Sequence, residues 1–210
     1  MNLDSAGKKK PQRLKERLRE VTSAAILEAA ERVLQEQGMT APMEVIAARA
    51  GVAVGTLYNH FKDRHALVEE LRESHRRQLT EDVKAAEVRG AKLPPREQLT
   101  EMLQAMVSAW SKIYLVIKST EQLPNAKTRA EGRERVAKLF AGVLSRGRTQ
   151  GLFAADPDGL QVVALMGLIQ SFFALATDDP KAMPKELLAE RVIEAFIHGA
   201  APHTHRKARP

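Results

Sequence analysis

A cluster of polar and aromatic side chains follows two closely spaced glycines in the segment AGVAVGTLYNHFKDRHALVEE, residues 50–70. Hydroxyl, imidazole and ammonium donors suit phosphate oxygens, and they are supplied here by Thr56, Tyr58, His60 and Lys62. The amide of Asn59 is suited to a base edge, and Val54 to a thymine methyl group. The segment therefore offers the chemistry of a nucleic-acid contact.

The spacing of the same segment predicts a helix-turn-helix unit. Residues 43–50 are expected to form the supporting helix, and residues 54–61 the recognition helix. Gly51 can adopt the positive φ of the turn between them without steric cost. Leu57 and Phe61, one helical turn apart, and Val52 are expected to point into a small core. Gly55 and Ala53 would then face outward, where Gly55 lets the backbone approach DNA.

Apolar residues recur at three- and four-residue spacings along almost the whole chain, whereas β-branched alternation is nearly absent. The fold is therefore predicted to be all-α, with about nine helices. The first helix should begin at a Thr22 or Ser23 cap, or near residue 12 just past Pro11, and end at Gly38. Pro42 should open the second helix as its first residue.

Asp63 can cap a fourth helix that runs toward residue 88, and RGAKLPP is then expected to form a loop. Later helices are expected over residues 99–117, 126–149, 160–176 and 187–197. These elements predict four segments, which are a basic extension (1–20), a three-helix DNA-binding domain (21–72), a helical ligand-binding and dimerisation domain (73–200) and a basic tail (201–210).

Charge and composition exclude some kinds of chemistry and indicate the kind of partner. The 210 residues carry a net charge of +7 and no cysteine, which excludes disulfides and thiolate chemistry. Seven basic and three acidic residues lie within residues 1–20, so a polyanionic partner is expected, although solvated tails remain the alternative for both ends. With neither a signal peptide nor a spanning segment, the protein is expected in the cytoplasm.

The helix predicted over 160–176 is apolar almost all round and needs burial on every side. The simplest arrangement packs it and the last helix against the same pair of a second subunit; a central core helix of a monomer is the alternative. The dimer-interface residues expected on this basis are Leu165, Leu168, Phe173, Leu188, Val192 and Phe196.

Methionine, aromatic and a few polar side chains in the C-terminal half have the composition of an apolar ligand cavity, although plain core packing gives the same stripe. A neutral or weakly acidic hydrophobic effector is expected there. The candidate effector-binding residues are Met102, Met106, Trp110, Tyr114, Phe140, Met166, Gln170 and Phe172.

Enzymatic chemistry is not expected. The motif HGAAPHTH, with His198, His203 and His205, could bind a metal, but Pro202 and the basic run after it favour a tail. No glycine-rich phosphate loop follows a strand, and no serine, histidine and acid trio stands out. We therefore predict no catalytic residue, no metal and no cofactor.

From about Ser23 to Leu71 the sequence closely resembles the DNA-binding domain of the TetR family of bacterial transcriptional regulators. The matching residues are AAILEAAERVLQEQG in the first helix and EVIAARAGVAVGTLYNHFKDRHALVEEL in the helix-turn-helix and the start of the fourth helix. The resemblance implies a homodimeric, all-helical repressor that a small molecule releases from a pseudo-palindromic site. It also implies phosphate contacts from Thr56, Tyr58 and Lys62, with His60 beside them, and from Thr22.

The sequence departs from the family at Ala53 and Val54, where the family often has Ser and Lys, and at Ala41 and Pro42, where it often has a Thr pair. Fewer polar contacts should weaken non-specific binding, and the basic extension would compensate along the DNA backbone or in the minor groove. An activator, or a regulator controlled by a partner protein, fits the sequence equally. Membrane binding by the extension has only a poor apolar face, in Leu14, Leu18 and Val21.

Overall fold

The computed structural model describes residues 5–118, 126–178, 181 and 184–200. Within them the chain forms eight α-helices and one short 3₁₀ helix, Gly90–Lys92, and no strand, which confirms the predicted all-α class. The α-helices are α1 (Ser5–Gln37), α2 (Met43–Arg49), α3 (Val54–His60), α4 (Arg64–Arg89), α5 (Pro95–Lys118), α6 (Ala126–Thr149), α7 (Leu160–Asp178) and α8 (Lys185–Ala200).

The chain divides into two compact units. Of the described residues, the first unit holds those up to His75 and the end of α5 from Ile113 onward. The second holds the rest of α4 and α5 together with α6, α7 and α8. No helix in the described part of the chain has the length and apolar character needed to cross a bilayer.

Helices α1 to α4 build the core of the first unit. Its centre contains fully buried Ile26, Ile46 and Leu57, one from each of the first three helices. Leu67 of α4 joins the same cluster, and Val68 and Leu71 form a second one with Leu34. A small apolar cluster shared by four helices thus holds the helix-turn-helix.

The start of α1 differs from the prediction. The helix begins at Ser5, so the expected start at a Thr22 or Ser23 cap, or just after Pro11, is wrong. The Thr22 hydroxyl donates to the Leu18 carbonyl one turn earlier, at 2.8 Å, and therefore does not cap a helix. Good helix formers such as Lys, Arg, Glu and Leu dominate residues 8–20, and their preference outweighs the one backbone hydrogen bond that Pro11 removes.

The other boundaries of the first unit follow local signals. Gly38 ends α1 with φ +78°, and its amide donates to the Leu34 carbonyl at 3.0 Å. The Asp63 carboxylate accepts the amide of Ala66 at 2.7 Å and caps α4, as predicted. Pro42, expected to be the first helical residue of α2, is instead its N-cap and has an extended backbone.

Two arginines connect the elements of this unit. The Arg49 guanidinium of α2 donates to both carboxylate oxygens of Glu36 in α1, at 3.0 and 2.8 Å, and this hydrogen bonding lowers the pKa of the Glu36 carboxyl. Arg64, the first residue of α4, donates to the carbonyl oxygens of Met39 (2.6 Å) and Ala41. Movement of the start of α4 is therefore linked directly to the loop between α1 and α2.

A polar cluster and an aromatic contact organise the second unit. Arg146 of α6 donates to the carbonyls of Ala91 and Leu93 and to the side chain of Gln98, whose amide donates to the Glu87 carbonyl at 2.7 Å. Helix α7 packs against both α6 and α8. These contacts hold the turn between α4 and α5 against α6.

Candidate nucleic-acid interface

The turn between α2 and α3 is the first part of the candidate site. Gly51 has φ +69°, as predicted, and the amide of Val52 donates to the Ala47 carbonyl at 3.0 Å. Val52 packs against the core cluster, and extended Ala53 precedes the first turn of α3. The turn thus fixes the orientation of α3 relative to α2.

Substitution of Gly51 by alanine tests this turn. A side chain there would meet no neighbouring atom, so its cost comes only from the left-handed backbone, about 1 to 2 kcal/mol. We expect the free energy of unfolding to fall by about that amount, measured by urea denaturation. Gly199→Ala, at an exposed helical glycine with equally open surroundings, is the control and should not lower the stability. Equal stability of the two variants would contradict the strained turn.

Helix α3 separates its side chains into two sets. Leu57 is completely buried, and Phe61, which follows the helix, is 5% exposed, as predicted. Thr56 and His60 are half-buried. The exposed set consists of Ala53, Val54, Gly55, Tyr58, Asn59 and Lys62. Helix α3 therefore exposes Tyr58 and Asn59, and Lys62 is exposed just after the helix, whereas Thr56 and His60 lie at the border of the buried face.

The individual donors differ in how far they are exposed at the surface of the first unit. Tyr58 is 44% exposed, and its ring is not enclosed by the core. The Lys62 ammonium lies 3.9 Å from the Asp63 carboxylate, and because 82% of the Lys62 side chain is exposed, this ion pair is weak. Thr22 is half-buried, with its hydroxyl directed to its own helix.

Gly55 differs from Gly51, because nothing within the chain requires a glycine there. Its φ is not positive, and a methyl group on its Cα would meet no atom within 4 Å. A glycine inside a helix costs about 1 kcal/mol relative to alanine. The open space over Gly55 is therefore a feature of the outer surface, directly beside the donor set.

The residues predicted to bind an effector lie in different environments. Met102, Met106 and Phe140 are buried in the second unit, and Met166 and Phe172 of α7 are half-buried. Gln170, expected as a polar group inside a cavity, is exposed. The side chains of Trp110 and Tyr114 lie outside the described residues, as do His203 and His205 of the candidate metal motif.

The residues predicted for the dimer interface are mostly covered by their own chain. Leu165, Phe173, Leu188, Val192 and Phe196 are at most 5% exposed, and Leu168 is half-buried. Phe196, for example, packs edge-on against Phe153, with 5.5 Å between ring centroids. These side chains form the core of the second unit, and an interface would need other residues of α7 and α8.

Sequence reasoning missed the exposed face of α7. The helix is not enclosed by the rest of the chain, because one apolar face stays open along its length. The residues on this exposed α7 face are Leu160, Val163, Ala164, Gly167, Gln170, Ser171, Ala174 and Leu175. Since the helix is apolar all round, its periodicity contains no signal that separates this face from the buried one.

Comparison with known protein families gives a match to the DNA-binding part of the chain. Residues 26–71 match the family model described as bacterial regulatory proteins, tetR family. This range contains the whole of α2 and α3, most of the core-forming part of α1 and the start of α4. No curated protein matches the sequence.

Solved structures share the fold over most of the chain. PfmR, a TetR family transcriptional regulator from Thermus thermophilus, is 20% identical with a TM-score of 0.62, over 82% of this chain and 97% of that one. A transcriptional regulator from Cytophaga hutchinsonii is 16% identical with a TM-score of 0.70, over 84% and 97%. SmeT, solved as a complex with triclosan, is 16% identical with a TM-score of 0.65, over 90% and 98%.

At such identities these likenesses show the fold, which has an N-terminal helix-turn-helix domain and a helical C-terminal domain. The match of residues 26–71 shows the kind of DNA-binding domain. Together with the exposed side chains of α3, they confirm the resemblance found in the sequence: residues 26–71 form a helix-turn-helix domain that matches the DNA-binding domain of the TetR family.

Proposed function

We propose that the protein is a homodimeric repressor that binds a pseudo-palindromic DNA site in the cytoplasm and is released from it by a small hydrophobic effector. The observation that carries the DNA-binding part is the division of α3, with Leu57 buried and Tyr58, Asn59 and Lys62 exposed beside the Gly51 turn. Such a helix offers phosphate and base contacts from a rigid support.

Selection from a random-sequence DNA library tests this function and does not require that the operator be identified first. Two recognition helices related by two-fold symmetry should enrich an inverted repeat, with half-site centres one or more helical turns apart. Enrichment of such a repeat supports the proposal. Recovery of unrelated sequences after several rounds would contradict it.

Gly55→Ala tests the close approach of the α3 backbone to DNA. Because the site is open within the chain, alanine should raise the free energy of unfolding by about 0.5 to 1 kcal/mol. The added methyl group should nevertheless lower the affinity for the selected DNA, on the order of tenfold for about 1.4 kcal/mol of lost contact. Urea denaturation and fluorescence anisotropy measure the two effects separately. A more stable variant with unchanged affinity would show that DNA does not approach Gly55.

The homodimer is supported by the exposed α7 face. Leu160, Val163 and Leu175 are 59%, 66% and 43% exposed there, and several large apolar side chains exposed on one face are typical of a helix that packs against a partner. Gly167 lies at its centre with open space beside it, which permits close approach of a second helix. The exposed α7 face, rather than the core residues predicted from the sequence, is our proposed contact between two copies.

Gly167→Arg tests this interface. A Cβ at this exposed position would meet no atom of its own chain, whereas an arginine would obstruct a second α7 packed on the same spot. We expect the dimer dissociation constant to rise at least about a hundredfold, measured by analytical ultracentrifugation. Ala141→Arg, at an exposed position of α6, is the control and should leave the dimer unchanged. A Gly167→Arg dimer as tight as the wild type would overturn this interface.

Release by an effector requires a helix that responds to both units. Helix α4 has this property, since its start belongs to the first unit and its remainder to the second. Arg64 joins that start to the loop between α1 and α2. SmeT, which has the same fold, was solved with triclosan, and this supports a neutral or weakly acidic hydrophobic effector for the present chain. Only a difference in effector affinity between the two conformations would shift the population.

A further inference from the structure

The part of α1 that precedes the core of the first unit carries a feature that the helix-turn-helix does not use. We call residues 5–21 the N-terminal helical extension. The first fully buried residue of α1 is Ile26, whereas every residue from Arg13 to Val21 is exposed. Residues 13–21 thus lie outside the core of the DNA-binding domain, and the sequence of the extension is strongly basic.

Its side chains are arranged by charge around the helix. Leu14, Leu18 and Val21, which are 60%, 57% and 68% exposed, form a narrow apolar stripe at i, i+4 and i+7. Four exposed basic residues flank this stripe in i, i+4 pairs, with Arg13 and Arg17 on one side and Lys15 and Arg19 on the other. The two acidic residues of residues 13–21, Glu16 and Glu20, lie on the opposite face. We call the part of the helix surface formed by these four basic residues and the apolar stripe between them its basic side.

We propose that this basic side lies along the phosphate backbone of the DNA next to the operator, so that each subunit contacts DNA beyond its helix-turn-helix. The inference rests on the proposed DNA-binding function. The extension is continuous with the part of α1 that packs against α2 and α3, so it belongs to the same domain as the recognition helix.

The helical state of the extension decides between two ways of contacting DNA. A flexible basic arm enters the minor groove, which is only about 6 Å wide. An α-helix with its side chains is about 10 to 12 Å across and does not fit there. Arg and Lys side chains on a helix outside the groove reach phosphates and carry no base preference. The contact is therefore electrostatic and independent of the flanking sequence.

The length of the extension determines how many flanking base pairs it can contact. The 17 residues from Ser5 to Val21 span about 25 Å at a rise of about 1.5 Å per residue. At about 3.4 Å per base pair this distance corresponds to about 7 base pairs on each side of the operator. A duplex that contains only the base pairs contacted by the two helix-turn-helix units would lack the phosphates that the extension binds.

Other partners fit the extension less well. In a coiled coil with a second copy, Lys15 and Arg17 would occupy the positions beside the apolar seam, where like charges repel. Three apolar residues give little area for insertion into a lipid surface, and binding by charge alone to anionic lipid is weak. DNA phosphates match the basic side without requiring a wide apolar face.

The test compares two duplexes and two variants. The short duplex is the smallest one that retains specific binding after selection from random DNA, and the long duplex adds about 8 base pairs at each end, slightly more than the extension spans. The test variant replaces Arg13, Lys15, Arg17 and Arg19 with glutamine, which preserves helix propensity. The control variant makes the same change in charge with Lys84, Arg89, Lys92 and Arg133, four exposed residues of the second unit, replaced by glutamine.

For the wild type and the control variant, the long duplex should bind on the order of tenfold more tightly than the short one, whatever the added sequence. Its salt dependence should steepen by about 0.9 in log–log slope for each phosphate contacted. The test variant should bind both duplexes alike and still prefer the selected operator sequence.

The inference would be overturned if the test variant gained as much affinity on the long duplex as the wild type does, or if the wild type gained none. Specific binding to the short duplex would in either case leave the regulator proposal intact. Failure to select any sequence would overturn both. Co-sedimentation of the wild type, but not the test variant, with vesicles of mixed phosphatidylcholine and phosphatidylserine, in the absence of a length effect on DNA, would replace DNA by a membrane surface as the partner.

Discussion

Simultaneous replacement of Thr56 and Tyr58 by alanine is expected to lower the affinity for operator DNA at least about a hundredfold. Each hydrogen bond to a charged phosphate contributes about 1.5 to 3 kcal/mol, and the proposed homodimer would lose two such bonds in each subunit. Thr56 is half-buried and Tyr58 is 44% exposed, so neither anchors the core. The dimer and the helical content should therefore remain unchanged.

Fluorescence anisotropy with labelled DNA measures the affinity, and analytical ultracentrifugation measures the dimer in the same preparation. The matched control is the double variant Thr149→Ala, Gln150→Ala, at two exposed positions where α6 ends. It should bind DNA as the wild type does. Tight binding by the Thr56 and Tyr58 variant would refute the assignment of α3 as the recognition helix.

Leu57→Ala should have the largest effect on the stability of the DNA-binding domain. Leu57 is completely buried in a cluster to which four helices contribute, and removal of such a side chain costs about 2 to 5 kcal/mol. Since an entire domain is stable by only about 5 to 15 kcal/mol, α3 should lose its fixed position and specific DNA binding should disappear with it.

Urea denaturation followed by circular dichroism should show an early transition for Leu57→Ala, whereas the second unit keeps its own core. Leu93→Ala, at a position that is 37% exposed, is the control and should change the stability little. A Leu57→Ala protein that unfolds at the wild-type urea concentration would contradict the packing of α3 described here.

The helix-turn-helix could be predicted because its signals are local. Gly51 is the residue that a left-handed turn requires, and Asp63 is a side chain that caps a helix by itself. Leu57 and Phe61 are separated by one helical turn, so the period alone predicts that they share a face. Each of these expectations is confirmed by a dihedral angle, a hydrogen bond or burial.

The start of α1 could not be predicted from local signals. Thr22 has the chemistry of a cap, but its hydroxyl bonds backward to Leu18 because the helix already exists there. Proline and threonine each favour a helix start, and both occur inside α1. The error matters for function, since it changes the basic extension from a tail into a helix.

The residues on α7 and α8 show a different limit. Leu165 and Val163 belong to the same apolar helix, yet Leu165 is completely buried and Val163 is 66% exposed. Their difference comes from packing of α7 on α6 and α8, the helices that precede and follow it in the chain. Where a helix is apolar on every side, only tertiary packing decides which residues remain for a partner.

The central claim is specific DNA binding through α3, and the most direct test is a fluorescence-anisotropy titration of the purified protein. DNA from upstream of its own gene and a scrambled duplex of the same composition are compared at several salt concentrations. The account predicts tighter binding to the upstream DNA, with a preference that persists as salt rises. Equal binding to both duplexes, lost steeply with salt, would mean that only the basic surface is at work and would contradict the account.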